Sequence, residues 1–225
     1  MGLIVALDPP EGVDGVEWCL RLIRELGSVP DGYKLGLPLA LESGVEGLKR
    51  VAEAVPPGKL IIADLKLADI GYVMSLTVRR LARAGVNAVI AHTFVGVEGA
   101  LDALAGTCGD LGIKLVLVAL MSHPGASRVM APAFRESLRI VKEVGAWGAV
   151  LPATRPDAIR EGREFLGSSV KILSPGIGAQ GAEPGSALEA GADYEIVGRL
   201  VTRAENPRAV AEELVRRYER VLGRR

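Results

Sequence analysis

The chain has 225 residues, 49% of them hydrophobic, and its 27 lysines and arginines balance 27 aspartates and glutamates. This length suits one hydrophobic core, and this composition excludes a disordered chain. A neutral chain without a block of like charge is not expected to bind nucleic acid, and its longest apolar runs are far shorter than the ~20 residues that span a bilayer. Neither nucleic acid nor a membrane is therefore predicted as a partner.

The first residues and the cysteines indicate the compartment. The chain reaches Asp8 without a basic leader, which is not the pattern of a signal peptide. Cys19 and Cys108 are the only cysteines, and they fall in separate predicted helices. These features predict a cytoplasmic protein without a disulfide framework.

Eight short apolar runs alternate with longer amphipathic stretches along the chain. The apolar runs predict strands at residues 3–7, 32–35, 60–64, 88–91, 114–119, 148–151, 170–173 and 194–197. The amphipathic stretches predict helices at residues 14–27, 38–54, 71–84, 96–108, 132–145, 156–166, 184–190 and 206–222. Strands that are apolar on both faces indicate a parallel sheet covered by helices.

Eight β/α units in a chain of this length predict a single α/β domain over residues 1–225, a (β/α)₈ (TIM) barrel with parallel strands. An open doubly wound sheet is the alternative. The barrel is favoured because it gathers functional groups from the carboxyl ends of many strands, and polar residues follow most strands here. These residues are Asp8, Lys34, Asp64, Lys66, His92, Ser122, His123 and Arg199.

The densest polar segment runs from Asp64 through Lys66 to Asp69. Residues two apart on a strand share a face, so we expect Asp64 and Lys66 to point together into the barrel. A purely structural ion pair is the alternative for these two residues. Asp69, just before the next helix, is equally suited to be its N-cap.

A glycine-rich segment at residues 174–181 follows the seventh strand, and Arg199 follows the eighth. Glycines let backbone N–H groups approach a phosphate, and arginine adds a planar charged fork. Barrel enzymes frequently bind phosphate at these two loops, so the sequence predicts a site for a phosphate monoester. An ordinary turn is the alternative for the glycine segment.

A long polar loop at residues 119–127 follows the fifth strand, and it fits either a lid or a surface insertion. His92 and His123 are the only histidines and have no cysteine beside them, so neither a zinc cluster nor a Ser-His-Asp triad has a signature. We expect His92 to pack or to support the site. No dinucleotide fingerprint or Walker loop occurs, and we predict neither a metal nor a cofactor.

Four motifs, in this order, resemble the orotidine 5′-phosphate decarboxylase family in its compact microbial and archaeal form, over nearly the whole chain. They are Asp64-x-Lys66-x-x-Asp69-Ile70, Met121-Ser122-His123-Pro124-Gly125-Ala126, Pro175-Gly176-Ile177-Gly178-Ala179-Gln180-Gly181 and Val197-Gly198-Arg199. The resemblance implies decarboxylation of orotidine 5′-monophosphate to UMP in pyrimidine biosynthesis, without metal or cofactor. It also implies a homodimer whose active sites are shared between subunits.

The resemblance further implies a role for each matching residue. Lys66 would protonate C6 of a carbanion-like intermediate, and Asp64 would face the substrate carboxylate. Lys34 and Asp8 would hold the ribose hydroxyls and the charged network, while Asp69 would reach into the partner's site. The implied substrate-binding set is completed by Ile70, Ser122, Pro175, Gly176, Gly178, Gln180, Gly198 and Arg199, with Arg199 on the phosphate.

One position departs from the family pattern. Family members usually continue the second aspartate with Ile-Pro and, two residues later, a threonine, whereas this chain has Ile70, Gly71 and then Val73. Valine has no hydrogen bond to donate, so the cross-subunit contact expected of that threonine lacks its donor. Ser75 and Thr77 are the nearby hydroxyls that could replace it.

Two other functions are compatible with parts of the pattern. Magnesium-dependent 3-keto-L-gulonate 6-phosphate decarboxylase and hexulose-phosphate synthase resemble this chain in the Asp-x-Lys-x-x-Asp motif. They carry a glutamate in the region of Lys34, and a lysine there would repel the metal. A non-catalytic nucleotide-binding barrel would need the phosphate loop but has no use for the alternating charges.

Overall fold

The computed structural model describes residues 2–223, and its centre is a closed barrel of eight parallel strands in sequential order. The strands are β1 Gly2–Leu7, β2 Gly32–Gly36, β3 Leu60–Leu67, β4 Ala88–His92, β5 Lys114–Val118, β6 Gly148–Val150, β7 Lys171–Pro175 and β8 Tyr194–Val197. The predicted (β/α)₈ barrel is confirmed. The open sheet is wrong, because β1 pairs with both β2 and β8. Met1, Arg224 and Arg225 of the predicted domain lie outside the described residues.

Helices surround the barrel and connect successive strands. Within residues 2–223 they are α1 Gly15–Leu26, α2 Leu37–Glu53, α3 Gly71–Arg83, α4 Asp102–Leu111, α5 Ala126–Val129, α6 Phe134–Glu143, α7 Pro156–Leu166, α8 Ser186–Ala190, α9 Arg199–Thr202 and α10 Pro207–Leu222. The short helices α5 and α9 were not predicted. The helix predicted from residue 96 begins instead as a wide turn over Val97–Leu101 and becomes regular only in α4, because Glu98 and Gly99 have non-helical backbone. None of the described helices combines the length and apolarity needed to cross a membrane.

Two apolar layers hold the fold together, one inside the barrel and one between strands and helices. On β1, Ile4 and Ala6 belong to the inner layer, while Leu3 and Val5 pack with the helices. All six residues of β1 are buried. This burial on both faces explains why the strands are continuous apolar runs in the sequence.

A buried carboxylate connects β8 to the beginning of α8. Glu195 is fully buried on β8, and its oxygens accept hydrogen bonds from Gly185 N at 2.9 Å and from Ala187 N at 3.0 Å. Burial raises the pKa of Glu195, and the amide donors offset part of that rise. Glu195 thus fixes the end of the segment that begins with the glycine loop after β7.

Candidate active site

A cleft opens at the carboxyl-terminal ends of the strands, above the apolar interior of the barrel. Its larger part is a cavity of about 400 Å³, and a second cavity of about 180 Å³ adjoins it. Residues that line both cavities are Lys34, Asp64, Lys66, Pro175, Gln180 and Ile196. The two cavities therefore form one site with a charged centre.

Four side chains of alternating sign cross this centre, and we call Asp8, Lys34, Asp64 and Lys66 the charged row. Lys34 Nζ lies 3.2 Å from Asp8 Oδ1 and 3.4 Å from Asp64 Oδ2, and Lys66 Nζ lies 2.9 Å from Asp64 Oδ2. Burial by itself raises the pKa of Asp64, but the two ammonium groups outweigh it and hold that pKa below its usual range. Asp64 is therefore an ionised carboxylate between two cations.

The register of the barrel brings the charged row together. Lys34 is paired with Ala6 of β1 on one side and with Ile62 of β3 on the other, and Asp8 follows β1 directly. Gly36 leaves the space that Asp8 occupies, because a Cβ at Gly36 would lie 1.8 Å from Asp8 Oδ1. A glycine on β2 thus lets the first carboxylate reach Lys34.

Lys66 is carried on a bulge of β3. The pairing of β3 with β4 shifts between Ala63 and Leu67, and Lys66 has a φ of 46°. Left-handed backbone at a residue other than glycine is unfavourable by about 1–2 kcal/mol and is found at functional sites. The sequence correctly predicted that Asp64 and Lys66 are neighbours, but a bulge and not regular strand alternation brings them together.

The outer end of the larger cavity combines a glycine loop with two arginines. Gly176 and Gly178 have φ angles of 110° and 67°, which favour glycine. The Gly178 N–H donates to the Ala182 carbonyl at 2.8 Å and closes the loop into a turn. Arg199 and Arg203 line the same cavity. Backbone amides and guanidinium groups are chemically suited to a phosphate, and the phosphate site stays a prediction.

The smaller cavity has an apolar wall. Ile90, Val118 and Val150 from three neighbouring strands form this wall, and Met121 and Ser122 from the loop after β5 complete it. An apolar slot with one hydroxyl at its side suits a flat ring with polar edges.

The loop after β5 is also connected to the loop after β6, because Arg155 Nη2 donates a hydrogen bond to Ser127 Oγ. Its residues Met121 and Ser122 line the cleft, so the loop is part of the site and the alternative of a mere surface insertion is not supported.

Comparison with known proteins identifies the family. The model of the "Orotidine 5'-phosphate decarboxylase / HUMPS family" matches residues 1–214. The chain belongs to this family. The resemblance in the sequence motifs is thereby confirmed.

Relatives and solved structures of the decarboxylase family cover almost the whole chain. The orotidine 5′-phosphate decarboxylase of Aeropyrum pernix is 47% identical over 220 residues, which are 96% of this chain and 89% of the relative. That of Pyrococcus horikoshii is 38% identical over 221 residues, 98% and 99% of the two chains. The structure of the Sulfolobus solfataricus enzyme is 35% identical with a TM-score of 0.84 and covers 98% of each chain. That of the Methanocaldococcus jannaschii enzyme complexed with the inhibitor BMP is 29% identical with a TM-score of 0.85, and covers 95% of this chain and 97% of that one.

Most residues implied by the decarboxylase resemblance lie at the cleft. The following line one or both cavities: Asp8, Lys34, Asp64, Lys66, Ser122, Pro175, Gly176, Gln180, Gly198 and Arg199. Gly178 lies one residue beyond Ile177 of the cavity wall, in the turn of the glycine loop.

Asp69 and Ile70 do not line either cavity. Both are exposed, and Asp69 Oδ1 accepts a hydrogen bond from Ile70 N at 2.7 Å. The alternative of an N-cap at Asp69 is wrong, because Ile70 occupies the N-cap position of α3 and no side chain caps that end. Within one chain, the Asp69 carboxylate therefore has no role in the cleft.

The hydroxyls of Ser75 and Thr77 do not replace the family's threonine within this chain. Thr77 Oγ1 donates to the carbonyl of Val73 at 3.0 Å, inside α3. Ser75 Oγ accepts a hydrogen bond from Thr107 Oγ1 at 2.9 Å, which points it towards α4. Both hydroxyls are thus engaged in hydrogen bonds inside the chain.

The sequence did not single out several residues of the cleft, chiefly Pro9, Pro10, Thr202 and Arg203. Arg203 carried a usable signal, since it follows Arg199 by four residues and α9 makes one helical turn between them. The prolines gave no signal, because nothing in the local pattern connects them to the loops after β7 and β8 with which they share the cavity.

His92 packs beside the charged row, in agreement with the sequence. It is 7% exposed and its ring centroid lies 4.7 Å from that of Phe94. Burial, and then the charge of Lys66, lowers the pKa of His92. Among residues 2–223, no group of three or more histidine, cysteine, aspartate or glutamate side chains is arranged to hold a metal ion.

Proposed function

We propose that this chain decarboxylates orotidine 5′-monophosphate to UMP and CO₂ in pyrimidine biosynthesis, without a metal or cofactor. The observation that carries the proposal is the charged row. It shares one cleft with an apolar slot and with the glycine loop and arginines that suit a phosphate. The relatives named orotidine 5′-phosphate decarboxylase, matched over nearly the full chain, support the same substrate.

The cleft suggests how the substrate is oriented. The 5′-phosphate binds the glycine loop and Arg199, and the pyrimidine enters the apolar slot beside Ser122. The ribose then lies over Asp8 and Lys34. This orientation directs C6 and its carboxylate to Asp64 and Lys66.

The chemistry follows from the charge that develops at C6. When the bond from C6 to the carboxylate carbon breaks, its electron pair stays on C6 and CO₂ leaves. The ammonium of Lys66 stabilises that negative charge and then donates a proton to C6, which gives UMP. Asp64, bonded to Lys66 Nζ through both oxygens at 2.9 and 3.0 Å, holds the ammonium at that place. Preorganised charge of this kind supplies the largest part of many catalytic effects.

Binding of the phosphate contributes to catalysis although the phosphate is remote from the reacting carbon. Arg199 and Gly176 line only the larger cavity, whereas Lys66 also lines the smaller one, so in the proposed orientation the phosphate contacts do not touch the reacting carbon. Their binding energy can hold the substrate carboxylate beside the carboxylate of Asp64, although the two like charges repel each other. The phosphate end thus supports catalysis as well as affinity.

The magnesium-dependent alternative is disfavoured by the position of Lys34. Its ammonium lies between Asp8 and Asp64, at 3.2 and 3.4 Å, and occupies the place where two carboxylates could otherwise share a cation. A divalent ion there would face a like charge at contact distance.

Loss of the ultraviolet absorbance of orotidine 5′-monophosphate, measured with EDTA present, tests the reaction. Turnover should survive EDTA, and metal-dependent conversion of a ketose phosphate instead would refute the assignment. Lys66→Ala should abolish decarboxylation and leave UMP binding measurable, whereas the control Lys49→Ala on the exposed side of α2 should keep both. Persisting turnover in Lys66→Ala would show that another group protonates C6.

We further propose that the active enzyme is a homodimer in which Asp69 completes the partner's site. Asp69 is exposed, and so are large apolar side chains at the start of α3 and after β4: Ile70, Tyr72 and Phe94 are 61%, 71% and 67% exposed. Exposed large apolar side chains are typical of interfaces when they gather in a patch.

Mixing two inactive variants tests the shared site. Lys66→Ala and Asp69→Ala chains should each be inactive alone, and subunit exchange should create hybrid dimers with one intact site. Partial recovery of activity on mixing is the expected result. A monomeric mass in solution together with no recovery would exclude a shared site.

A further inference from the structure

Arg203 lies at the phosphate end of the cleft and has no part in the function proposed so far. It lines the larger cavity together with Arg199 and Thr202. Its N–H donates to the Arg199 carbonyl at 3.1 Å, so a single helical turn separates the two arginines. Residues four apart on a turn share a face, which explains why both side chains border the same cavity.

The charges that line the larger cavity do not balance without a ligand. The charged row contributes two carboxylates and two ammonium groups, which sum to zero, and Arg199 and Arg203 add two positive charges. In the described part of the chain, no carboxylate forms a salt bridge with either guanidinium; the ion pairs that do form involve other residues. A phosphate monoester carries about −1.5 to −2 at neutral pH, so two arginines match its charge.

We propose that Arg203 is a second arginine for the substrate phosphate and that it increases the preference of the cleft for nucleotides over nucleosides. This inference rests on the proposed function, because it assigns the phosphate to that end of the cleft. Arg203 does not line the smaller cavity with its apolar slot, so its effect should be confined to ligands that carry the phosphate.

Calorimetric binding of UMP and uridine to the full chain tests this role. Arg203→Ala should raise the Kd for UMP about fivefold, since Arg203 is exposed and its pairing is weakened by water. The Kd for uridine should not change. Arg203→Lys should recover part of the affinity, and the salt dependence of UMP binding should be smaller in Arg203→Ala than in the parent.

Arg216→Ala is the matched control, because Arg216 is an exposed arginine on α10 and its removal changes the net charge equally. It should bind UMP like the parent. Equal UMP affinity in Arg203→Ala and the parent would overturn the inference, and so would an equal loss of UMP and uridine affinity.

The proposed decarboxylation and the proposed role of Arg203 can be refuted independently. If the parent binds UMP through Arg203 but does not decarboxylate orotidine 5′-monophosphate, the proposed reaction is wrong and the role of Arg203 stands. If the parent binds UMP no more tightly than uridine, the role of Arg203 is overturned even when the chain is an active decarboxylase.

Discussion

Replacement of Asp64 by asparagine tests whether the charged row stabilises the fold. The change keeps the shape of the side chain but leaves Lys34 and Lys66 beside a neutral amide. Asp64 is 10% exposed, and Asp8, which contacts the same Lys34, is 49% exposed. Asp8→Asn is therefore a matched control that removes the same charge from a more solvated place.

The distances allow the effect to be worked out. At 3.4 Å from Lys34 and an effective dielectric of about 20, one pair attracts by about 5 kcal/mol, and desolvation of both groups offsets part of this. Lys66 is 40% exposed, so its pair with Asp64 adds less. Removing one partner of a buried pair typically destabilises by about 3–5 kcal/mol. We expect Asp64→Asn to lower the free energy of unfolding by about 3 kcal/mol, and Asp8→Asn by less than about 1 kcal/mol.

Urea unfolding at neutral pH measures both values, and the melting temperature of Asp64→Asn should fall by about 6–12 °C. The pH dependence gives a second measurement. The folded-state pKa of Asp64 is lowered, so its stabilising contribution is present above the ordinary value of ~3.9 and is lost as the pH falls through the folded-state value. The difference between the parent and Asp64→Asn should therefore shrink in acid below about pH 4.

Two results would refute this reasoning. Equal destabilisation by Asp64→Asn and Asp8→Asn would mean that burial does not strengthen the pairing. A more stable Asp64→Asn protein would mean that desolvation exceeds the attraction, and that the fold keeps the row only for its chemistry.

Two further substitutions probe the surroundings of the row. Gly36→Ala should move Asp8 away from Lys34, because the new Cβ would overlap Asp8 Oδ1, and kcat/KM should fall by about 10- to 100-fold in the ultraviolet assay. Gly106→Ala in α4, whose Cβ would meet nothing within 4 Å, should keep full activity, and equal loss in both would contradict the explanation. Glu195→Gln removes a carboxyl group whose folded-state pKa is raised, so the parent should lose stability as the pH rises above its ordinary value of ~4.3 and the variant should not. Urea midpoints at pH 4 and pH 7 should therefore diverge in favour of Glu195→Gln, and parallel midpoints would exclude the burial effect.

The sequence predicted the barrel well because each strand is apolar on both faces and the order of strands follows the chain. It predicted the charged row because its members follow or end neighbouring strands. It could not predict the bulge at Lys66, since left-handed backbone is usually signalled by glycine and this position has a lysine. The N-cap alternative for Asp69 had good local chemistry, but α3 begins at Gly71, so the N-cap position falls on Ile70.

Arg203 shows a different limit of prediction from sequence. Its spacing of four residues from Arg199 indicates a shared face only where the chain is helical, and the short helix α9 that brings both arginines to one cavity was not predicted. Asp69 shows the limit for assemblies, because the shared site proposed for it would lie in another subunit, and a single chain cannot test such a contact.

The anchoring of Gly185 by Glu195 has a consequence for the glycine-rich segment after β7. One end of that segment is continuous with β7 at Pro175, and the other is held at Gly185 by the buried carboxylate of β8. A segment held at both ends has few conformations to lose when it orders around a ligand. The barrel wall thereby lowers the entropic penalty that ordering this segment around the proposed phosphate would carry, and it does so from the side of β8 that faces the helices.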